Sequence, residues 1–187
     1  MCATGSDDQA GNGSKASNGS ARRDGAIVKL RADWSEFIVL LKRHGVRFLI
    51  VGAHALAVHG RPRYTDDFDV FVDASPANAR RLQAALADFG FVEAANAWER
   101  MAEPYQIMTL GRVEKIDILT SIAGVSFRTA WRNRKRVRDP VLGIIGVLGL
   151  KELIATKRAT GRPQDLADLA LIRQLARGRS PGTRRRP

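Results

Sequence analysis

Three aspartates and one lysine carry the chemistry this chain can offer. In TDDFDVFVD, residues 65–73, Asp67 and Asp69 alternate with Phe68, Val70 and Val72. Successive side chains of a strand point to opposite faces, so the two acids share one face and the apolar residues the other. Carboxylates that close repel unless a cation stands between them, and a hard divalent ion with oxygen ligands is the natural neutraliser. The plain alternative is a surface strand with alternating acids. Asp66 falls on the opposite side from Asp67 and is left out. A third acid, Asp117, stands between Ile116 and Ile118 in KIDIL. It is either an exposed edge residue or the completion of a three-carboxylate cluster with Asp67 and Asp69, if the strands are neighbours. Lys157 continues the apolar stripe of Leu150, Leu153 and Ile154 at helical spacing. A lysine there either snorkels to solvent or pairs with an anion.

Around these residues the pattern predicts alternating helices and strands. WSEFIVLLKR, residues 34–43, places Trp34, Phe37, Ile38 and Leu41 on one helical face. The apolar run Val46–Val51 suits a central strand. Gly52 breaks it and opens a short helix, AHALAVH, closed by Gly60. That break sets bare backbone amides at a helix start, where an anion can bind, or is simply a tight turn. After the strand FDVFVD, Ser75-Pro76 supplies an N-cap and a first-turn proline for a helix carrying Ala79, Leu82, Leu86 and Phe89 and ending at Gly90. YQIMTL and VEKIDIL read as antiparallel strands turning at Gly111-Arg112. LKELIATKRA and QDLADLALIRQLA form a terminal helical pair broken at Gly161-Arg162-Pro163. The fold class is α+β (mixed α/β), with helices packed on one sheet. His54 and His59 take helix-surface or capping roles, and Trp34, Trp98 and Trp131 are core or partly buried residues rather than base-stacking platforms.

The 187 residues suit one domain with tails. Residues 1–25 are rich in Gly, Ser and Asn and are expected to be disordered, as is the basic tail 177–187; the folded domain spans 26–176. Hydrophobic residues at 44% and charged residues at 27% exclude collagen-like, coiled-coil and wholly disordered chains. The longest apolar run, residues 141–150, is far short of the roughly 18 residues of a membrane span. The N-terminus lacks an apolar signal segment, and Cys2, the single cysteine, allows neither an internal disulfide nor a cysteine-built zinc site. A soluble, cytoplasmic protein is expected. The net charge of +12 points to polyanionic partners, with basic residues clustered in FRTAWRNRKRVR, residues 127–138, and in the tail. Solvated runs that serve only solubility are the alternative.

The order of landmarks resembles the DNA-polymerase-β-like nucleotidyltransferases. Val51-Gly52-Ala53 is followed after thirteen residues by Asp67-Phe68-Asp69-Val70. VGAHALAVHGRPRYTDDFDVFV, RVEKIDILTSIAGVSFRTAW and LIATKRATGRPQDLADLALI are similar to successive blocks of the AbiEii-type, abortive-infection toxin-like members. The resemblance spans about residues 46–176. It implies a nucleotidyltransferase core with a central mixed sheet flanked by helices and a C-terminal helical pair.

By this resemblance Asp67 and Asp69 bind two Mg²⁺ ions, and Asp117 shares one and orients or deprotonates the attacking hydroxyl. Gly52 and Ala53 let backbone amides approach the triphosphate of an NTP substrate, and Lys157 contacts its phosphates. Asp165 holds Lys157 or Arg162, which with Arg63 and Thr65 complete the nucleotide-binding set. Ala53 departs from the usual Gly or Ser and offers no hydroxyl to the nucleotide. The implied reaction moves a nucleoside monophosphate to a hydroxyl acceptor, RNA (tRNA) or protein, in a toxin-like enzyme with a possible cognate antitoxin. Arg128, Arg132, Arg134 and Arg136 are the candidates for tracking an RNA acceptor. Transfer to a small molecule such as an aminoglycoside, and a non-catalytic module that binds nucleic acid or a partner, are the alternatives.

Overall fold

The computed structural model describes residues 31–112 and 115–178. The elements run α1 (Ala32–Arg43), β1 (Phe48–Ile50), α2 (Gly52–Val58), β2 (Asp67–Val72), α3 (Pro76–Asp88) and α4 (Val92–Asn96). A short 3₁₀ turn (Trp98–Ala102) follows, then β3 (Ile107–Leu110), β4 (Lys115–Leu119), α5 (Phe127–Arg132), β5 (Lys135–Asp139), β6 (Gly143–Val147), α6 (Leu150–Thr160) and α7 (Pro163–Gly178). The expected tails lie outside the described residues, apart from the last turn of α7.

The strands form one mixed sheet in the order β3-β4-β2-β1-β6-β5. The β3–β4 hairpin is antiparallel, as the sequence suggests. What no hairpin rule supplies is the parallel pairing of β2 with β4, which sets Asp69 level with Asp117. β1 runs antiparallel to β2 and parallel to β6.

The alternation in β2 divides the molecule into two layers. On one face, Phe68 and Val70 are fully buried, and Trp34 of α1 stacks on Phe68 with ring centroids 5.3 Å apart. Burying such side chains stabilises the fold by about 1.5–3 kcal/mol each. On the other face, Phe71 meets Phe127 of α5 edge-on at 5.1 Å, so Asp67 and Asp69 share their side of the sheet with α5. Local chemistry fixes the frame. Ser75 accepts a hydrogen bond from the Asn78 amide to cap α3. Buried Asn78 accepts from the Arg47 amide at 2.7 Å and donates to Arg47 and Asp73 carbonyls, joining β1, β2 and α3. Gly161, with φ +61°, ends α6 in a left-handed cap before Pro163 opens α7.

Two elements differ from the sequence reading. The segment 135–147, noted there for its charge and its apolar run, is an antiparallel hairpin of β5 and β6. β5 carries exposed Lys135, Arg136 and Arg138 around buried Val137, the charged dress that protects an edge strand from pairing with other chains. It also sits at the opposite edge of the sheet from β3–β4. The basic run therefore leaves the Asp117 strand through α5 and crosses to the far edge.

Candidate active site

A cavity of about 620 Å³ opens where the C-terminal end of β1 meets the N-terminal part of β2, roofed by α6 and the start of α7. It is lined by Gly52, Ala53, Arg63, Thr65, Asp67, Asp69, Asp117, Lys157, Arg162 and Asp165, so the ten residues singled out for metal and nucleotide share one space. Arg128, Arg132, Arg134 and Arg136 are not among its lining.

The sheet wall is acidic. Burial pushes the Asp69 carboxyl up to about 6, and the neighbouring charges of Asp117 and then Asp67 push the same way, while Arg162 and Arg63 partly offset them. Gly52 makes this position possible. Its φ is +60°, and a Cβ there would stand 1.9 Å from Asp69 Oδ2. The glycine thus supplies both the left-handed backbone after β1 and the space the carboxylate occupies. Thr109 on β3 donates to Asp117 Oδ1 at 2.6 Å and fixes that carboxylate from the side. The Asp67 amide donates to Thr65 Oγ1 at 3.4 Å. Asp66 points away and is bonded by the Tyr64 hydroxyl.

The helical wall is an ion-pair network. Lys157 Nζ lies 3.1 Å from Asp165 Oδ1 and 2.5 Å from Asp168 Oδ2, and all three side chains are buried. Arg162 Nε donates to Asp165 Oδ2 at 2.7 Å, and Thr160 Oγ1 to the same oxygen at 2.8 Å. Arg63 Nε stands 3.3 Å from Asp168 Oδ1. Burial raises the Asp165 carboxyl, but the hydrogen bonds from Arg162, Thr160 and Lys157 outweigh it and hold the group well below the ordinary range. Asp168 is the residue that sequence reasoning missed. Its signal was present: it follows Asp165 by three positions, so both acids share a face of α7.

Two histidines near the cavity belong to the frame. His54 is buried edge-on against Trp34 and Phe68, and burial, then Arg63, lowers its pKa. His59 Nε2 lies 2.8 Å from the Leu148 carbonyl. Trp131 is half-buried beneath cations, with the Arg134 guanidinium 4.1 Å and that of Arg47 5.0 Å from its ring. Arg134 is therefore committed to packing, whereas Arg128, Arg132 and Arg136 are exposed.

The donor set fits a hard divalent cation. Among the described residues, no three carboxylate, imidazole or thiolate groups form a ready cage for a metal ion. Mg²⁺ does not need one, because it takes one or two carboxylates and completes its shell with water and substrate phosphate oxygens. Asp67, Asp69 and Asp117 offer oxygen ligands alone, and their mutual repulsion at Asp69 is what a cation would relieve.

No family model and no curated protein matches the chain. A solved structure from Thermotoga maritima, described as a candidate nucleotidyltransferase, is similar with a TM-score of 0.42 and 15% identity, over 78% of this chain and 91% of that one. Among the described residues, no helix is long and apolar enough to cross a membrane.

Proposed function

We propose that this protein is a Mg²⁺-dependent nucleotidyltransferase that moves a nucleoside monophosphate from an NTP to a hydroxyl acceptor. One observation carries the reading: β2 and β4 pair in parallel with Asp69 level with Asp117, beside a glycine whose missing side chain leaves room for the Asp69 carboxylate. Divalent ions bound there would polarise the α-phosphate and stabilise the attacking and leaving oxygens of an in-line displacement. Asp67 and Asp69 would hold those ions in place. Asp117, steadied by Thr109, accepts the hydrogen bond of the attacking hydroxyl and takes up its proton. The Gly52 and Ala53 amides and the side chains of Arg63 and Arg162 meet the phosphates. The bond formed joins the acceptor oxygen to the α-phosphorus; the bond broken releases pyrophosphate.

The acceptor in this reading is RNA, with tRNA as the specific candidate, in a toxin-like enzyme. Its support is the net charge of +12, with Arg128, Arg132 and Arg136 exposed. The same net charge counts against the long-range approach of a cationic small molecule, although the sheet wall itself is acidic. Incubating the protein with each α-labelled NTP, Mg²⁺ and total RNA or cell lysate tests the reading. Label should appear on RNA and vanish with Asp69→Asn or Asp117→Asn. Label on protein alone would discard the RNA acceptor, and transfer that survives both substitutions would discard the site.

A further inference from the structure

We propose that a second cavity, adjoining the first, binds an uncharged nucleobase, with Tyr105 as its stacking platform. The inference rests on the nucleotidyltransferase reading of the first cavity. This neighbour has a volume of about 650 Å³ and shares Ser121, Ile122 and Ala123 with it. Phe71 forms its floor, two residues beyond Asp69 on the same sheet face. A group seated there is thus continuous with the reacting centre.

The chemistry of the wall selects the occupant. In a chain carrying 31 basic and 19 acidic residues, no charged side chain among the described residues lines this cavity. A phosphate would find no cation in that wall and a polycationic drug no carboxylate. What the wall offers is the rings of Phe71, Phe127 and Tyr105 together with the polar edges of Gln106, Thr120 and Ser126. A flat, neutral ring with donors and acceptors on its rim fits both features.

Tyr105 is also held against its own preference. Among the described residues it is the non-glycine with positive φ, at +61°, and it is 86% exposed. Three hydrogen bonds to the end of β4 impose that geometry. The Tyr105 amide donates to Ser121 Oγ at 3.0 Å, the Gln106 amide to Thr120 Oγ1 at 2.9 Å and the Thr120 amide to the Gln106 carbonyl at 3.0 Å. Backbone strain that presents an exposed aromatic ring at a cavity rim has no packing gain to offset it, and such strain gathers at ligand sites.

The base comes either from the NTP or from the RNA acceptor, and the probes separate these sources. Binding of the four NTPs with Mg²⁺, inorganic tripolyphosphate with Mg²⁺, and a short unstructured oligoribonucleotide is measured for wild type, Tyr105→Gly and Tyr105→Phe. Glycine suits the left-handed backbone, so Tyr105→Gly should melt at the same or a higher temperature. Yet it should bind NTP or RNA about tenfold more weakly, leave tripolyphosphate binding unchanged, and be rescued by Tyr105→Phe. Loss confined to NTP assigns the cavity to the incoming base; loss confined to RNA assigns it to the acceptor. Unchanged binding of every probe by Tyr105→Gly, or an equal loss for tripolyphosphate, overturns the proposal while the nucleotidyltransferase reading stands. A wild-type protein that binds no NTP overturns both.

Discussion

The two walls of the candidate active site use the same residue type to opposite ends. On the sheet wall, Asp69 is surrounded by burial and by other acids, and its carboxyl rises to about 6. On the helical wall, Asp165 is also buried, yet Lys157, Arg162 and Thr160 hold it well below the ordinary range. One wall stores unrelieved negative charge facing the cavity; on the other, buried Lys157, Asp165 and Asp168 spend their charges on one another. The difference separates function from architecture. Groups that fail to satisfy one another are available to a cation, whereas groups already paired hold the roof in place. Lys157, with two carboxylates on its ammonium, belongs to the second kind.

The largest effect that follows is on stability. Lys157→Met leaves Asp165 and Asp168 buried with a partner removed and should destabilise the fold by about 3–5 kcal/mol. Adding Asp168→Asn should recover part of that loss in a double-mutant cycle read by urea denaturation. A stable Lys157→Met variant with weakened NTP binding would instead make the lysine a phosphate ligand and erase the contrast.

Next comes the pH dependence of the metal-free protein. The folded-state pKa of Asp69 is raised above its unfolded value, so its contribution is fully present below about pH 4 and is lost as pH rises through about 6. That amounts to about 3 kcal/mol. Asp165 works the other way: its pKa is depressed, so its contribution is present above the ordinary carboxylate range and is lost toward strong acid. Denaturation midpoints of the wild type should therefore decline as pH rises from about 4 to 7, and Asp69→Asn should flatten that decline. An unaltered decline in the variant would remove Asp69 as its source.

A smaller change isolates the sheet wall. Gly52→Ala strains a left-handed position and drives a methyl into the Asp69 carboxylate. The expected cost is about 1–3 kcal/mol, with transfer activity impaired and the Lys157 network untouched. Normal activity in this variant would mean that Asp69 need not occupy its observed place. The smallest effect concerns the basic cluster of α5 and β5. Arg128, Arg132 and Arg136 changed to Ser should flatten the salt dependence of RNA binding by about 0.7 for each phosphate no longer neutralised, leaving NTP affinity unchanged. A slope identical to wild type would reduce that cluster to a solubility device.

How much of this was legible in the sequence follows from the range of each interaction. The alternation of Asp67 and Asp69 with Phe68 and Val70 is local and periodic, and β2 follows it directly. Lys157 announced itself as a cation on an apolar stripe, because a buried charge breaks a pattern that nearby residues define. The level pairing of Asp69 with Asp117 was not readable, since it depends on a parallel pairing across 48 positions of chain that no turn dictates. The β5–β6 hairpin was hidden for another reason. Its arginines read as a charge run, and only Val137, Ile145 and Val147, all buried, mark the face that packs. Asp168 was missed because an acid at helical spacing looks like a solvated face until its partner on α6 is seen.

The central claim is that the sheet wall carries its negative charge in order to bind divalent ions with a nucleotide. It is tested most directly by NTP affinity, measured with and without Mg²⁺ at neutral pH, for wild type and Asp69→Asn. Wild type should bind NTP much more tightly when Mg²⁺ is present. Asp69→Asn, folded at least as stably, should lose that enhancement while keeping the affinity seen without metal. An Asp69→Asn protein that shows the full Mg²⁺ enhancement would contradict the account.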